Sequence, residues 1–361
     1  MSGYCLKFLV ACLVGYAVIV LIGYFGDPAN VFRATSYYDQ VSSAMLEGEN
    51  VVGLNHVDER LLQKYLLLDQ HVYWPVIVLG SSRSMEISAE MLGVDEAFNE
   101  SVGGAGIEDF LSILELHYER GALPKTVIIG LDPNFVLGRN GDAWLPLSDY
   151  YFRMRSRLLG TGPLSEASQW TGAMGKNLQA YQQMMALPYF KASLVRIWGE
   201  LAGTAAPPYT LTREKDANDW MKRADGTRGY PPEWRDRGVA EIEANARGLP
   251  LEQWSSQQLV PAETDLFGRV VGWLRANQVD VVLVLLPYHP ITSARLSQSS
   301  QFAGVEVAED YFNAVARRYG LLSLGTFFGQ RSMCQSDEFY EAVHPRPSCV
   351  SKILAPYREA R

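Results

Sequence analysis

Val76-Ile77-Val78-Leu79-Gly80-Ser81-Ser82-Arg83-Ser84 is the stretch whose reading decides the fold. Four aliphatic residues, mostly β-branched, run without a polar interruption and end on a glycine. A short run that is apolar on both sides reads as a strand buried in a parallel sheet, not as one with a wet face. The serines and arginine after Gly80 then occupy a strand-to-helix turn, with a helix expected over 84–92.

Working outward, 96–99 reads as a weak second strand and Gly103-Gly104-Ala105-Gly106 as a tight turn. Residues 107–118 have the spacing of an amphipathic helix, stopped near Gly121. Thr126-Val127-Ile128-Ile129-Gly130-Leu131 is a third strand. The alternation resumes late: a helix over 264–276, the strongest strand over 279–286, a helix over 305–319, a short strand over 321–324 and a closing helix over 348–357. Such alternation predicts an α/β fold, a mostly parallel sheet between two helical layers, over 73–361. The excursion from Leu131 to Val279 is too long for a structureless loop. A helical insertion is therefore expected at about 140–258, with 174–185 and 191–201 as candidate helices. Trp220, Tyr230 and Trp234 in it would pack inside a cap or stack on sugar rings. Upstream, 27–72 reads as a connector, with a helix over 58–69 marked by Leu61, Leu62, Tyr65 and Leu66.

The N-terminus differs in kind. Phe8 to Gly26 is 19 residues without a charge, between Lys7 and Asp27. At about 1.5 Å per residue it matches a bilayer core of about 30 Å. Lys7 ahead of it and Asp27 behind it favour a cytoplasmic N-terminus, with the rest of the chain outside. A signal-anchor over 1–26 is the expectation. A cleaved signal peptide is the alternative, but no convincing small-x-small site follows the apolar run, and that run continues well past Cys12, unlike a lipoprotein box.

The net charge of −8 and pI near 5.3 argue against a phosphate-neutralising nucleic-acid binder. Five scattered histidines, with no Cys-x-x-Cys or His-Glu-x-x-His, give no metal expectation, and no nucleotide loop implies a cofactor. Of four cysteines, Cys334 and Cys349 lie on either side of His344. In an oxidising compartment a bridge is expected; two buried thiols are the alternative.

Two segments carry candidate chemistry. Ser82 sits where ligands of open α/β sheets bind, beyond a strand's carboxyl end, and its backbone N–H could serve an oxyanion. Ser81, Ser82 and Ser84 also qualify as plain helix caps. In Phe339-Tyr340-Glu341-Ala342-Val343-His344-Pro345, the imidazole of His344 could serve as base and Glu341 could orient it. His289, after the strongest strand, is a rival base or a substrate contact. Arg83 would bind an anionic substrate group or form a salt bridge with Asp132.

These residues carry a resemblance. Gly80-Ser81-Ser82 resembles the first block of the SGNH (GDSL-type) hydrolase superfamily, with serine in place of the usual aspartate. Asn99 to Gly104 resembles the second block, with Gly104 as the oxyanion glycine. Gly130-Leu131-Asp132-Pro133-Asn134 stands where the third block would be, making Asn134 an oxyanion donor. Glu341-Ala342-Val343-His344 resembles the terminal block, with glutamate for aspartate. With the apolar N-terminus, Tyr24-Phe25-Gly26-Asp27-Pro28 and Ile129-Gly130-Leu131-Asp132-Pro133, the chain is similar to the membrane-anchored DltD-like proteins and the periplasmic alginate O-acetyltransferases. The resemblance implies an SGNH-like, flavodoxin-like domain in the periplasm on a single-pass inner-membrane anchor. It implies Ser82, His344 and Glu341 as a catalytic triad, and Ser82, Gly104 and Asn134 as oxyanion donors, with Arg83, Asp132 and His289 near the substrate. The implied activity is O-acyl transfer onto an exported polysaccharide or glycolipid, beside a multi-pass MBOAT-type acyltransferase. An esterase, or a degenerate scaffold for that partner, would use the same fold.

Overall fold

Aliphatic residues that alternate sides along a strand can feed two cores at once when helices cover both faces. The computed structural model describes residues 2–27, 34–54, 57–68, 72–138, 141–161, 186–204, 209–255 and 258–361. These form nine strands: β1 (Asn50–Val52), β2 (Val76–Gly80), β3 (Phe98–Asn99), β4 (Thr126–Leu131), β5 (Thr210–Thr212), β6 (Met221–Lys222), β7 (Arg228–Gly229), β8 (Asp280–Leu285) and β9 (Leu322–Gly325). Five of them make one parallel sheet in the order β3-β2-β4-β8-β9. Ile77, Leu79, Val127, Ile129, Val281 and Leu283 face one core, under the helices Ile107–Glu119, Pro261–Ala276 and Gly304–Tyr319. Val76, Val78, Ile128, Val282 and Val284 face the other, under Ala89–Leu92 and Pro347–Glu359. Each fully buried Val, Leu or Ile contributes about 1.5–3 kcal/mol. The chain leaves β2 to one side for β3 and returns to the other for β4. That reversal opens a crevice at the carboxyl ends of β2 and β4.

The expected parallel sheet and its flanking helices are present, with three corrections. The helix expected over 84–92 is broken into a 3-10 turn, Ser82–Ser84, and a short helix, Ala89–Leu92. The break follows from Ser88, whose hydroxyl accepts from the Met91 N–H at 3.3 Å and starts its own helix. The excursion is not purely helical: β5, β6 and β7 lie in it and join β1 in an antiparallel sheet, β5-β1-β6-β7. These strands are too short to show a period of two. The turn Asp225-Gly226, with Gly226 at φ 78°, was the one signal of a hairpin. Because β1 pairs with β5 and β6, the 27–72 segment is a partner of the insertion, not a mere connector. Of the two helices proposed in the insertion, 191–201 lies within the helix Leu187–Ala202; 174–185 falls outside the described residues.

At the N-terminus, the helix Ser2–Gly26 is long and apolar enough over Tyr4–Gly26 to span a membrane, with a mean hydropathy of 2.6. Cys334 and Cys349 are bonded to each other, with Cα atoms 5.2 Å apart.

Candidate active site

The turn after β2 is built around one small gap. A Cβ on Gly130 would overlap the Ser84 hydroxyl, so glycine there lets the 3-10 turn fold down on the sheet. Ser81 caps the turn, its Oγ accepting from the Arg83 N–H. Asn99 at the end of β3 binds it from the side, donating from Nδ2 to the carbonyls of Ser84 (2.8 Å) and Ile87 (2.9 Å). The Asn99 side chain also accepts from the Ser101 N–H at 3.0 Å, which ties the Ser82 turn to the loop carrying Gly104. Ser82 is left half-buried with its hydroxyl pointing at His344.

The second half comes from the C-terminal segment. Phe339 and Pro345 pair across a narrow loop, and the Tyr340 N–H donates to the His344 carbonyl at 2.9 Å. Glu341 Oε1 accepts from His344 Nδ1 at 2.5 Å, from the His344 backbone N–H at 2.8 Å and from the Val343 N–H at 3.1 Å. With Nδ1 protonated toward the carboxylate, Nε2 is the acceptor for the Ser82 hydroxyl, 2.8 Å away. Burial would raise the pKa of Glu341. The hydrogen bond and charge of His344, helped by the two backbone N–H groups, outweigh it and hold the carboxyl below its ordinary value. A glutamate therefore reaches as far as the orienting role needs.

The loop holding Glu341 and His344 is clamped on three sides. Arg83 is buried, donates from Nε to the Val343 carbonyl at 3.2 Å and from Nη2 to the Leu286 carbonyl, and lies 4.0 Å over the Tyr288 ring. Its Nη1 is 3.6 Å from Asp132 Oδ2. Arg83 is thus paired with Asp132, while its Nη1 makes no hydrogen bond and the residue also lines the cavity over Ser82. The His289 N–H donates to the Ala342 carbonyl at 3.1 Å, and Asn245 of the insertion accepts from the Ala342 N–H at 3.1 Å. His289 is corrected as a rival base and substrate contact: it is fully buried, its Nδ1 accepts from the Ile291 N–H at 3.1 Å, and its ring packs on Phe339. It caps the helix Pro290–Ser297 instead.

A cavity of about 260 Å³ opens over the Ser82 hydroxyl, lined by Gly104, Asp132, Asn134, Trp254, Tyr288 and His344 among others. Gly104 has φ 58°, the left-handed region, which is why the position takes glycine. The N–H groups of Ser82 and Gly104 donate to no described backbone group. Asn134 lines the cavity, and its Oδ1, an acceptor, is buried there without a hydrogen-bond partner. Asp132 sits beneath, accepting from Ser81 Oγ at 3.4 Å and from the Asn134 N–H at 3.3 Å.

The geometry is that of a hydroxyl joined to an imidazole and a carboxylate, with backbone N–H donors alongside. No protein-family model matches the chain, and no curated protein matches it significantly. The chemistry of the site therefore rests on these side chains. Among the described residues, no group of three or more His, Cys, Asp or Glu could hold a metal ion.

Of the parts contributed by the insertion, the sequence did not reveal Trp254 and Asn245. Trp254 forms one wall, held by a hydrogen bond from Nε1 to the Tyr288 hydroxyl at 2.9 Å. Trp234 lies edge-on to His344 with ring centres 6.3 Å apart, and Tyr230 stacks on Tyr340 at 4.2 Å. These aromatics pack against the loop that carries Glu341 and His344, which is the cap reading. Nothing in the sequence around Asn245 singles it out.

Proposed function

We propose that this protein is a membrane-anchored O-acyltransferase of the SGNH-like kind, acting outside the cytoplasm on a cell-envelope or exported polysaccharide. The observation that carries the reading is the continuous chain from Ser82 Oγ through His344 to Glu341 at the carboxyl end of β2. His344 would take the Ser82 proton as the hydroxyl oxygen attacks the carbonyl of an acyl donor. The backbone N–H groups of Ser82 and Gly104, with the Asn134 amide, would receive the negative charge that develops on the carbonyl oxygen. Collapse expels the donor's leaving group, protonated by His344, and leaves an ester on Ser82. A sugar hydroxyl, deprotonated by the same imidazole, then takes the acyl group and frees Ser82. The order of the four motif blocks along the chain and their convergence on one cavity support the SGNH-like assignment. The apolar N-terminal helix supports the anchor. A multi-pass acyltransferase of the MBOAT kind is the proposed donor-side partner.

Ser82→Ala and His344→Ala should each abolish acylation while leaving the fold intact, because members of such a unit fail nearly together. Two readouts test this: labelling of Ser82 by a fluorophosphonate, and acyl content of the envelope polymer. Absence of labelling in the wild-type protein, or unchanged polymer acylation in both variants, overturns the proposal. Polymer acylation that rises in the variants would make water the acceptor and the protein an esterase.

A further inference from the structure

The helix Leu187–Ala202 in the insertion has an apolar side with no described protein residue against it. Leu187, Leu194, Val195, Trp198 and Leu201 are between 42% and 79% exposed. Four of them, Leu187, Leu194, Trp198 and Leu201, recur at helical spacing along one stripe, with Val195 at its edge. Ser193 and Arg196 lie on the other side, and that side packs against the N-terminal helix. Ser193 is fully buried where a Cβ on Gly26 would overlap it, so the two backbones cross with only small residues between them. The Tyr189 hydroxyl donates to Asp27 Oδ1 at 3.0 Å, and Arg196 donates from Nη1 to the Asp27 carbonyl at 2.6 Å.

That contact fixes depth. Gly23 and Gly26 are buried and Ile19, Val20 and Ile22 half-buried, whereas Phe8 to Tyr16 are exposed. From Ile19 to Gly26 the helix rises about 10 Å. Any element packed along those residues sits at the level of the outer headgroups and upper acyl chains. We infer that Leu187–Ala202 is a second membrane element, an interfacial helix that lies against the end of the anchor and turns Leu187, Leu194, Trp198 and Leu201 into lipid. The side chains suit that place: an indole at the interface, and in the same stripe an exposed Lys191 whose stem can reach back to the headgroups. Among the described residues nothing else covers the stripe. The helix would hold the catalytic domain at a set angle to the bilayer instead of on a free tether.

The inference rests on the reading of the N-terminal helix as a membrane span, and the test separates the two. In a full-length protein with Cys5→Ser and Cys12→Ser, single cysteines replace Val195, Trp198, Val14 within the span, or Glu241 on the exposed surface. Each is spin-labelled and reconstituted into phosphatidylcholine–phosphatidylglycerol vesicles. Collision with oxygen, which concentrates in lipid, is compared with collision with a water-soluble nickel chelate. The expected oxygen-to-nickel ratio at 195 and 198 is severalfold above that at 241 and below that at 14, which lies deeper in the span. A ratio at 195 and 198 equal to that at 241, with 14 still in lipid, overturns the interfacial helix alone. Exclusion of both reagents at 195 and 198 overturns it in favour of a protein contact. A water-like ratio at 14 removes the anchor and the inference with it.

Discussion

Two residues show how much of the site depends on exact reach. Glu341 places one carboxylate oxygen within hydrogen-bonding distance of an imidazole nitrogen and two backbone N–H groups. Its negative charge is already favoured in the folded protein, so it can hold His344 in the tautomer that accepts from Ser82 without taking up the proton. Glu341→Gln keeps the shape and removes the charge. Fluorophosphonate labelling and acyl transfer should both slow by about 10²- to 10⁴-fold, with Tm little changed; a loss under about threefold would show that the carboxylate does not orient the base. Arg83 acts at one remove, through carbonyls. Its planar guanidinium serves Val343 and Leu286 together while stacked on Tyr288, which a single ammonium cannot do. Arg83→Lys should lose about 2 kcal/mol of stability in urea unfolding. It should also slow Ser82 labelling at temperatures where the fold persists. Normal labelling kinetics in that variant would reduce Arg83 to a structural role.

At the scale of elements, the loop that carries Glu341 and His344 is stapled from outside the sheet. The Cys334–Cys349 bond ties the segment before Phe339 to the helix Pro347–Glu359, and so brackets Glu341 and His344. A loop of that length contributes about 3 kcal/mol in the chain-entropy model. Reduction, or Cys334→Ser with Cys349→Ser, should lower unfolding stability by about that amount and lower labelling of Ser82 before global unfolding. Coincident loss of both signals would mean the bond acts on the whole domain only. The sheet around this loop was legible because its strands carry their own signal: Val76 to Leu79, Val127 to Leu131 and Val281 to Leu286 are apolar on both faces, and each ends at a loop. Ser82, Glu341 and His344 could be found because each sits in a short block next to such a strand or near the C-terminus. β5, β6 and β7 could not, because two or three residues set no period and β1, the partner of β5 and β6, is some 160 positions away. For the same reason Asn245 and Trp254 stayed invisible: their place in the site is created by the tertiary fold of the insertion.

For the whole molecule, the insertion meets the parallel-sheet domain around the acidic group Glu86. It lies just after the Ser82 turn, accepts from the Tyr340 hydroxyl at 2.8 Å, and shares its surroundings with Tyr230, Arg223, Arg228 and Arg346. Burial pushes its carboxyl up to about 8, against the opposing pull of the Tyr340 hydrogen bond and the three arginines. In the unfolded chain the same group titrates near its ordinary value of 4.5. Between those two values the folded protein holds a proton that the unfolded chain has released, so stability from this group falls as pH rises through that window. The ceiling on the loss at pH 7 is about 3 kcal/mol. Glu86→Gln keeps an acceptor for Tyr340 and cannot ionise. Its Tm should match the wild-type value near pH 5 and exceed it increasingly toward pH 8. Because Tyr340 precedes Glu341, the wild-type protein should also lose Ser82 labelling over the alkaline half of that range more steeply than the variant does. Parallel Tm curves for the two proteins from pH 5 to 8 would mean that Glu86 is charged in the fold. The junction between insertion and sheet would then be held by its arginines alone.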